Sequence, residues 1–111
     1  MRRSPANMAL NNAKNVSEYD AAHGDTAVIE LVVYGPGLNM LVAGDSPVAD
    51  RISLMSMELD DITFSACGNT LAGMEKKSGQ SIPLLSKATD VPSGVVRLIE
   101  LQESGCAYVR P

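Results

Sequence analysis

The segment Asp61-Ile-Thr-Phe-Ser-Ala66, followed directly by Cys67-Gly-Asn-Thr70, decides how the fold of this chain is interpreted. Its first part predicts a short strand over Asp61–Ala66. Cys67 then stands in the loop at the strand end, and a helix follows through Lys76. A strand that passes through a short loop into a helix is the repeating unit of an α/β sheet.

The residues upstream of this segment predict a second unit of the same kind. Thr26–Tyr34 is short and nearly all apolar, which fits a buried strand of a parallel sheet. Gly35-Pro36-Gly37 breaks that strand, and Leu38–Ala43 is expected to form a short helix. Ser46 followed by proline predicts the N-cap of a strong helix whose apolar stripe extends to Leu59.

Elements at both ends of the chain complete the predicted pattern. We expect a first helix of roughly three turns that starts at Pro5 with Ser4 as its cap and ends before Tyr19. The remaining expectations are a helical turn over Ile82–Leu85, a short strand over Lys87–Val91, a helix from Val95 that ends at Ser104-Gly105, and a final strand over Cys106–Arg110. Alternating strands and helices predict one α/β layered domain over residues 1–111 with a mainly parallel sheet.

Composition narrows the classes of function. With 111 residues, 45% hydrophobic and 20% charged, the chain has the balance of a single globular domain. Its net charge of −4 and scattered basic residues argue against a nucleic-acid surface, and no apolar run predicts a signal peptide or a membrane span. The two cysteines are expected to be reduced thiols in the cytoplasm, and we predict no metal and no other cofactor.

Cys67 is the residue on which chemistry is predicted to depend. At a strand end before a helix, unpaired backbone N–H groups and the helix dipole favour a thiolate over a thiol. Gly68 leaves room beside the sulfur, and Asn69 and Thr70 offer hydrogen bonds to a persulfide or an anion. The opposing interpretation is that a free cysteine often only fills space in a core. For Cys106, on the predicted final strand, that core role is the favoured one.

A second loop is expected to border the same site. Ligands of open α/β sheets bind at the carboxyl ends of the strands, and Tyr34, Gly35 and Asn39 follow the end of the first predicted strand. Gly35-Pro36-Gly37 lacks the spacing of a nucleotide-binding loop, so its expected role is a sharp turn that lets the two loops approach closely. His23 lies at the other end of the predicted sheet and is interpreted as an exposed structural residue.

Five separated blocks of the sequence resemble the DsrE/DsrF-like family. In chain order they are Val33-Tyr-Gly-Pro-Gly-Leu38, Ser46-Pro-Val48, Ala66-Cys-Gly-Asn-Thr70, Pro92-Ser-Gly-Val-Val96 and Leu101-Gln-Glu-Ser-Gly-Cys-Ala-Tyr108. The resemblance implies a three-layer α/β/α fold, homo-oligomers and a functional thiol at the position of Cys67. Better-understood relatives pass sulfur as a persulfide between carrier proteins, which implies a sulfur donor or acceptor protein as a partner.

One departure from the family concerns its first strand. Members usually begin with an apolar strand and a short acidic loop, whereas this chain reaches its first helix almost at once. The first strand is therefore expected to be missing from the sheet, and its loss would leave unpaired edges. A partner subunit could supply the pairing, which favours an oligomer.

Three functions follow as hypotheses. The first is a sulfur carrier or sulfurtransferase-like protein with Cys67 as the acceptor, which predicts a lowered thiol pKa and an accessible sulfur. The second is a non-catalytic oligomeric module that binds a small ligand or a partner with Tyr34, Gly35, Asn39 and Asn69. The third is a purely structural assembly subunit without a pocket near the cysteine.

Overall fold

A computed structural model describes residues 5–111 and confirms an α/β fold. Helices and parallel strands alternate along the chain. The elements are α1 (Pro5–Ala22), β1 (Ile29–Val33), a 3₁₀ helix (Gly35–Leu41), α2 (Ala49–Glu58), β2 (Ile62–Cys67), α3 (Gly68–Ser78), β3 (Ala88–Val91) and α4 (Gly94–Glu103).

The described strands form a three-stranded sheet in the order β1-β2-β3, with both pairs parallel. Ile29 lies opposite Ile62 and Val33 opposite Ala66, while Cys67 lies opposite Val91. Because all three strands run the same way, the loops that follow them emerge at one edge of the sheet. This edge carries the loop that contains the cysteine.

The two faces of the sheet are covered unequally. Alternate residues of β1 and β2 face a buried core built with α1, the 3₁₀ helix and α2, to which Leu71 and Met74 of α3 also contribute. The intervening residues face α4, where the guanidinium of Arg97 forms two hydrogen bonds with the carboxylate of Glu30, at 2.7 and 2.9 Å. Ser65 donates to the same carboxylate at 2.8 Å. The α4 face is therefore joined to the sheet by a polar cluster.

The first helix is longer than the sequence predicts. It begins at Pro5 as expected, but it continues past Tyr19 to Ala22, and its predicted cap at Ser4 lies outside the described residues. The helix continues because no residue before Gly24 breaks it. The Nδ1–H of His23 donates to the carbonyl of Tyr19 at 2.8 Å and the two rings stack, which closes the last turn.

Ser46 is not the N-cap of α2, so that prediction was wrong. The helix starts three residues later, at Ala49, with Val48 in the cap position. The hydroxyl of Ser46 instead donates to the carbonyl of Met40 at 2.5 Å and accepts from the N–H of Val48 at 3.2 Å. Because the side chain holds a tight turn between the 3₁₀ helix and α2, it is not free to cap the helix.

The predicted helical turn over Ile82–Leu85 is also absent. Leu84 forms an antiparallel bridge with Val42, and the N–H of Leu85 donates to the carbonyl of Leu41 at 2.7 Å. The N–H of Ala43 donates to the carbonyl of Pro83 at 2.9 Å. The backbone groups of this loop are used between two distant segments, which leaves no local helical pairing for them.

The predicted final strand over Cys106–Arg110 does not form. Residues 106–111 belong to no strand or helix and are exposed, and Cys106 is an exposed free thiol instead of a core residue. A strand needs a neighbour for its backbone groups, and within residues 5–111 none pairs with this segment. No helix in the described part of the chain is both long and apolar enough to cross a bilayer.

Candidate functional site

Three loops meet at the carboxyl ends of the strands. Tyr34 and Gly35 follow β1, Cys67–Thr70 passes from β2 into α3, and Pro92–Gly94 passes from β3 into α4. Each of the last two loops is short because the helix starts almost directly after its strand. The sheet therefore places one cysteine, two helix N-termini and a tyrosine in direct proximity.

Cys67 is the last residue of β2 and the N-cap of α3. Its Sγ accepts a hydrogen bond from the backbone N–H of Thr70 at 3.4 Å. A cysteine thus takes the capping role that serine or aspartate usually fills. The residue is buried, with 5% of its surface exposed, so the accessible sulfur expected from the sequence is not found in this conformation.

The surroundings of Cys67 lower the pKa of its thiol. Burial is the largest influence and raises this pKa, because it disfavours the charged thiolate. Hydrogen bonds from the Thr70 hydroxyl and from the backbone N–H groups of Thr70, Gly94 and Asn69 act in the opposite direction. Together these donors outweigh burial, and the pKa falls below its ordinary value of 9.0. The expectation of a lowered thiol pKa is thus met.

Thr70 connects the cysteine to the loop after β1. Its Oγ1 accepts a hydrogen bond from the N–H of Gly35 at 3.0 Å. The hydroxyl proton remains available for Cys67, as a hydroxyl can accept and donate at once. The Tyr34–Gly35 loop and the cysteine loop therefore approach each other closely, as the sequence predicts.

Two glycines let the loop after β3 reach the cysteine loop and Tyr34. A Cβ added at Gly68 would lie 3.1 Å from the carbonyl oxygen of Val91, and one added at Gly94 would lie 3.0 to 3.2 Å from three atoms of Tyr34. The N–H of Asn69 donates to the carbonyl of Pro92 at 3.1 Å. Side chains at either glycine would push these loops apart.

The remaining predicted ligand-binding residues lie on the surface. The side chain of Asn69 is exposed at the start of α3, and Tyr34 is 45% exposed. Asn39 lies within the 3₁₀ helix, where its side chain is exposed and its carbonyl accepts from the N–H of Val42. Asn69 follows the cysteine in the first turn of α3 and Tyr34 packs against Gly94, whereas the contact of Asn39 is made within the 3₁₀ helix turn.

The sequence analysis missed the contribution of Pro92–Gly94 to this site. Gly94 supplies a backbone N–H to the cysteine, and Ser93 caps α4 by accepting from the N–H of Val96 at 3.4 Å. The signal was present, because Pro-Ser-Gly lies between a predicted strand and a predicted helix. Ligands bind at the carboxyl ends of all the strands of a parallel sheet, so the loop after β3 should have been considered together with the loops after β1 and β2.

The polar groups around Cys67 are of the kind that stabilise an anion. Among residues 5–111 no group of three or more histidine, cysteine, aspartate or glutamate side chains is placed to hold a metal ion. The donors around Cys67 are N–H and O–H groups, which stabilise an anion. A thiolate is a species that these donors suit.

The chain was compared with known proteins by sequence and by structure. None of the protein-family models matches it, and the curated proteins give no match. A solved structure is similar, that of the protein of unknown function MTH1491 from Methanobacterium thermoautotrophicum, with a TM-score of 0.77 and 30% sequence identity. The match covers 96% of this chain and 87% of that chain. With this identity over most of both sequences, the chain belongs to the same protein family as MTH1491.

Proposed function

We propose that the protein is a cytoplasmic sulfur carrier in which Cys67 accepts sulfane sulfur and holds it as a persulfide. The observation that supports this most directly is the place of Cys67 at the N-terminus of α3, where its Sγ accepts from the N–H of Thr70 at 3.4 Å and nearby N–H and O–H groups lower the pKa of the thiol. These donors raise the fraction of thiolate at neutral pH, and the thiolate is the nucleophile in sulfur exchange. The resemblance to the DsrE/DsrF-like family is consistent with this role.

The transfer needs no external oxidant. The Cys67 thiolate attacks the outer sulfur of a donor persulfide, R–S–SH. The donor S–S bond breaks as the new bond to Sγ forms, so the products are Cys67–S–SH and the donor thiolate R–S⁻. A partner of suitable chemistry is therefore a second protein that carries a cysteine persulfide.

Because Cys67 is buried, this mechanism requires a path by which the sulfur donor reaches Sγ. Gly94, through its backbone, and Thr70, which also holds Gly35, both interact with the sulfur, so the donor must reach it where these loops meet. The Tyr34 ring is the half-exposed side chain at this place, and Gly94 has no side chain that could hold it. We propose that the Tyr34–Gly35 loop opens to admit the donor. Opening would break the single hydrogen bond from Gly35 to Thr70.

The same burial favours a second candidate function. With 5% of its surface exposed, Cys67 also fits a non-reactive cap in an oligomeric module that binds a small ligand or a partner through Tyr34, Gly35 and Asn69. In such a module the thiol would stabilise α3 and take no part in chemistry. Replacement by serine would then leave binding intact, because serine caps a helix as well as or better than cysteine.

Intact-mass spectrometry after incubation with a low-molecular-weight persulfide donor tests the proposal. The wild type and the Cys67→Ser and Cys106→Ser variants are compared, because Cys106 is an exposed thiol that reports unspecific reaction. We expect a gain of one sulfur atom that persists in Cys106→Ser and disappears in Cys67→Ser. Sulfur found on Cys106 alone, or no gain in the folded protein, would reject the carrier in favour of the binding module.

A further inference from the structure

A polar cluster joins three elements on the face of the sheet that α4 covers. It consists of Glu30 on β1, Ser65 on β2 and Arg97 on α4. Nε and Nη2 of Arg97 donate to the two carboxylate oxygens of Glu30, and the Ser65 hydroxyl adds a third hydrogen bond. A guanidinium that binds a carboxylate at two points fixes the mutual orientation of both groups. The cluster therefore fixes where α4 lies on the sheet.

The cluster and Cys67 lie on the same face of the sheet. Phe64 and Ala66 of β2 pack in the core on the opposite face, and successive side chains of a strand point to opposite faces. Ser65 and Cys67 therefore both point towards α4. Ser65 is 1% exposed, and its hydroxyl donates to Glu30. The cluster thus begins two residues before the thiol, in a part of the interface that α4 shields from water.

One turn of α4 connects the cluster to the loop that meets the cysteine. The N–H of Arg97 donates to the carbonyl of Ser93 at 3.0 Å, and Gly94 is buried. Because three residues of an α-helix rise by only about 4.5 Å, a displacement of Arg97 moves Gly94 with it. The backbone of Gly94 is one of the groups that lower the pKa of Cys67. The place of this group beside the sulfur therefore depends on the cluster.

The fit around Gly94 is close, so it is sensitive to the position of α4. A Cβ added at Gly94 would lie 3.0 Å from Cβ of Tyr34. Two residues earlier, the carbonyl of Pro92 accepts from the N–H of Asn69 at 3.1 Å, which joins this loop to the first turn of α3. A helix that was free to shift would lengthen these contacts. The pair of Arg97 with Glu30 provides a further point at which this end of α4 is held.

We propose that Arg97 and Glu30 are positioning residues for Cys67, because their ion pair holds the first turn of α4 and keeps Gly94 beside the cysteine loop. Neither side chain acts on the sulfur itself. The inference rests on the proposed function, since the reactive state of Cys67 is what the pair maintains. It deepens that function by giving α4 a fixed place while the Tyr34–Gly35 loop opens.

The pH dependence of iodoacetamide alkylation tests this role in a Cys106→Ser background. Its midpoint reports the pKa of Cys67, and its plateau at high pH reports access to the sulfur. Glu30→Met removes the carboxylate, and Arg97→Lys keeps the charge but cannot bind a carboxylate at two points. We expect the midpoint to rise in both variants, so that the rate at neutral pH relative to the plateau falls by roughly threefold or more. Glu100→Met is the control, since it removes an exposed carboxylate 3.7 Å from the same guanidinium and leaves the pair with Glu30 intact.

Charge and position make opposite predictions for Glu30→Met. Loss of a nearby negative charge alone would lower the midpoint, whereas loss of positioning raises it. The proposal would be overturned by a midpoint that falls or stays unchanged in Glu30→Met, by an unchanged midpoint in Arg97→Lys, or by an equal rise in Glu100→Met. Because alkylation needs no sulfur donor, this result is separate from the test of the proposed function. A wild type that gains no sulfur, with midpoints that rise in both variants, would reject the carrier and retain the positioning role.

Discussion

The backbone N–H of Gly35 donates a hydrogen bond of 3.0 Å to Oγ1 of Thr70, and this bond joins two loops that are 35 residues apart in the chain. The same hydroxyl contributes to lowering the pKa of Cys67, so the loop after β1 orients a group that favours the thiolate. Thr70 was predicted from the sequence to bind a ligand. Its observed partners give it a role in positioning as well.

Thr70→Val should raise the pKa of Cys67 and slow its reaction at neutral pH. The change removes the hydroxyl donor while burial, which raises the pKa, remains. It also leaves the N–H of Gly35 without its partner, which should lower the free energy of unfolding by about 1 kcal/mol. The pH dependence of iodoacetamide alkylation measures the thiol pKa, in a Cys106→Ser background so that one thiol reports. Thr70→Ser keeps the hydroxyl and serves as the control. An unchanged titration midpoint in Thr70→Val would contradict the role of the hydroxyl.

Cys67→Ala should destabilise the protein more than Cys67→Ser does. Alanine cannot accept the hydrogen bond that Sγ takes from the N–H of Thr70, and loss of an N-cap costs about 1 kcal/mol. Serine keeps an acceptor at the same position. Urea denaturation of the two variants measures the difference. Equal stabilities would show that the sulfur does not cap α3, whatever its reactivity.

Gly94→Ala should lower the free energy of unfolding by about 1–3 kcal/mol, because the new methyl group meets Tyr34 at 3.0 to 3.2 Å. Gly73→Ala is a matched control inside α3, where an added Cβ meets nothing within 4 Å, and it should stabilise the helix by about 0.5–1 kcal/mol. Thermal and urea denaturation compare the two. Tyr34→Ala in the Gly94→Ala background should recover part of the loss, since it removes two of the three crowded atoms. No recovery would place the strain elsewhere.

Glu30 should make the protein less stable in acid. The hydrogen bonds from Arg97 lower the pKa of this carboxyl below its ordinary value of 4.5, although burial acts against them. The unfolded chain therefore binds more protons in acid than the folded chain does. The contribution of Glu30 to the free energy of unfolding is complete above about pH 4.5 and is lost as the pH falls through the pKa of the folded state. When urea midpoints are measured as a function of pH, they should fall less steeply on the acid side in Glu30→Gln than in the wild type.

An exposed ion pair provides the comparison for Glu30. Lys14 and Glu18 are 3.9 Å apart on α1 with more than half of each side chain exposed. Because solvent screens such a pair, Glu18→Gln should change the free energy of unfolding at neutral pH by less than about 1 kcal/mol. Arg97→Met should destabilise the protein at neutral pH by leaving Glu30 without its cation. A Glu30→Gln variant with the wild-type acid profile would contradict the assignment.

Much of the fold could be predicted from the sequence because its signals are local. The transition from β2 through Cys67 to α3 follows from a strand pattern that ends directly before a helix, and the strand ending at Val91 was also expected. Ser46 shows the limit of such signals. A serine before a proline suits an N-cap, but its hydroxyl was taken by the carbonyl of Met40, six residues earlier.

The environment of the cysteine was less predictable. Its position at a helix start is a local property, whereas the N–H of Gly94 reaches it from another loop. Burial of Cys67 depends on how three loops pack, which no local pattern reports. The strand predicted over residues 106–110 was wrong for a related reason. Strand propensity shows that a segment can pair, and it does not show whether a neighbouring strand exists.

The groups that lower the pKa of Cys67 come from the start of α3, which follows β2, and from the loop after β3, and the group that orients Thr70 comes from the loop after β1. An unfolded chain has none of these contacts and carries an ordinary thiol with a pKa near 9.0. Folding of the whole sheet therefore lowers the pKa of this thiol and at the same time covers its sulfur. A ribosome-bound or misfolded chain leaves this sulfur exposed, so loss of access to Cys67 reports that folding has finished.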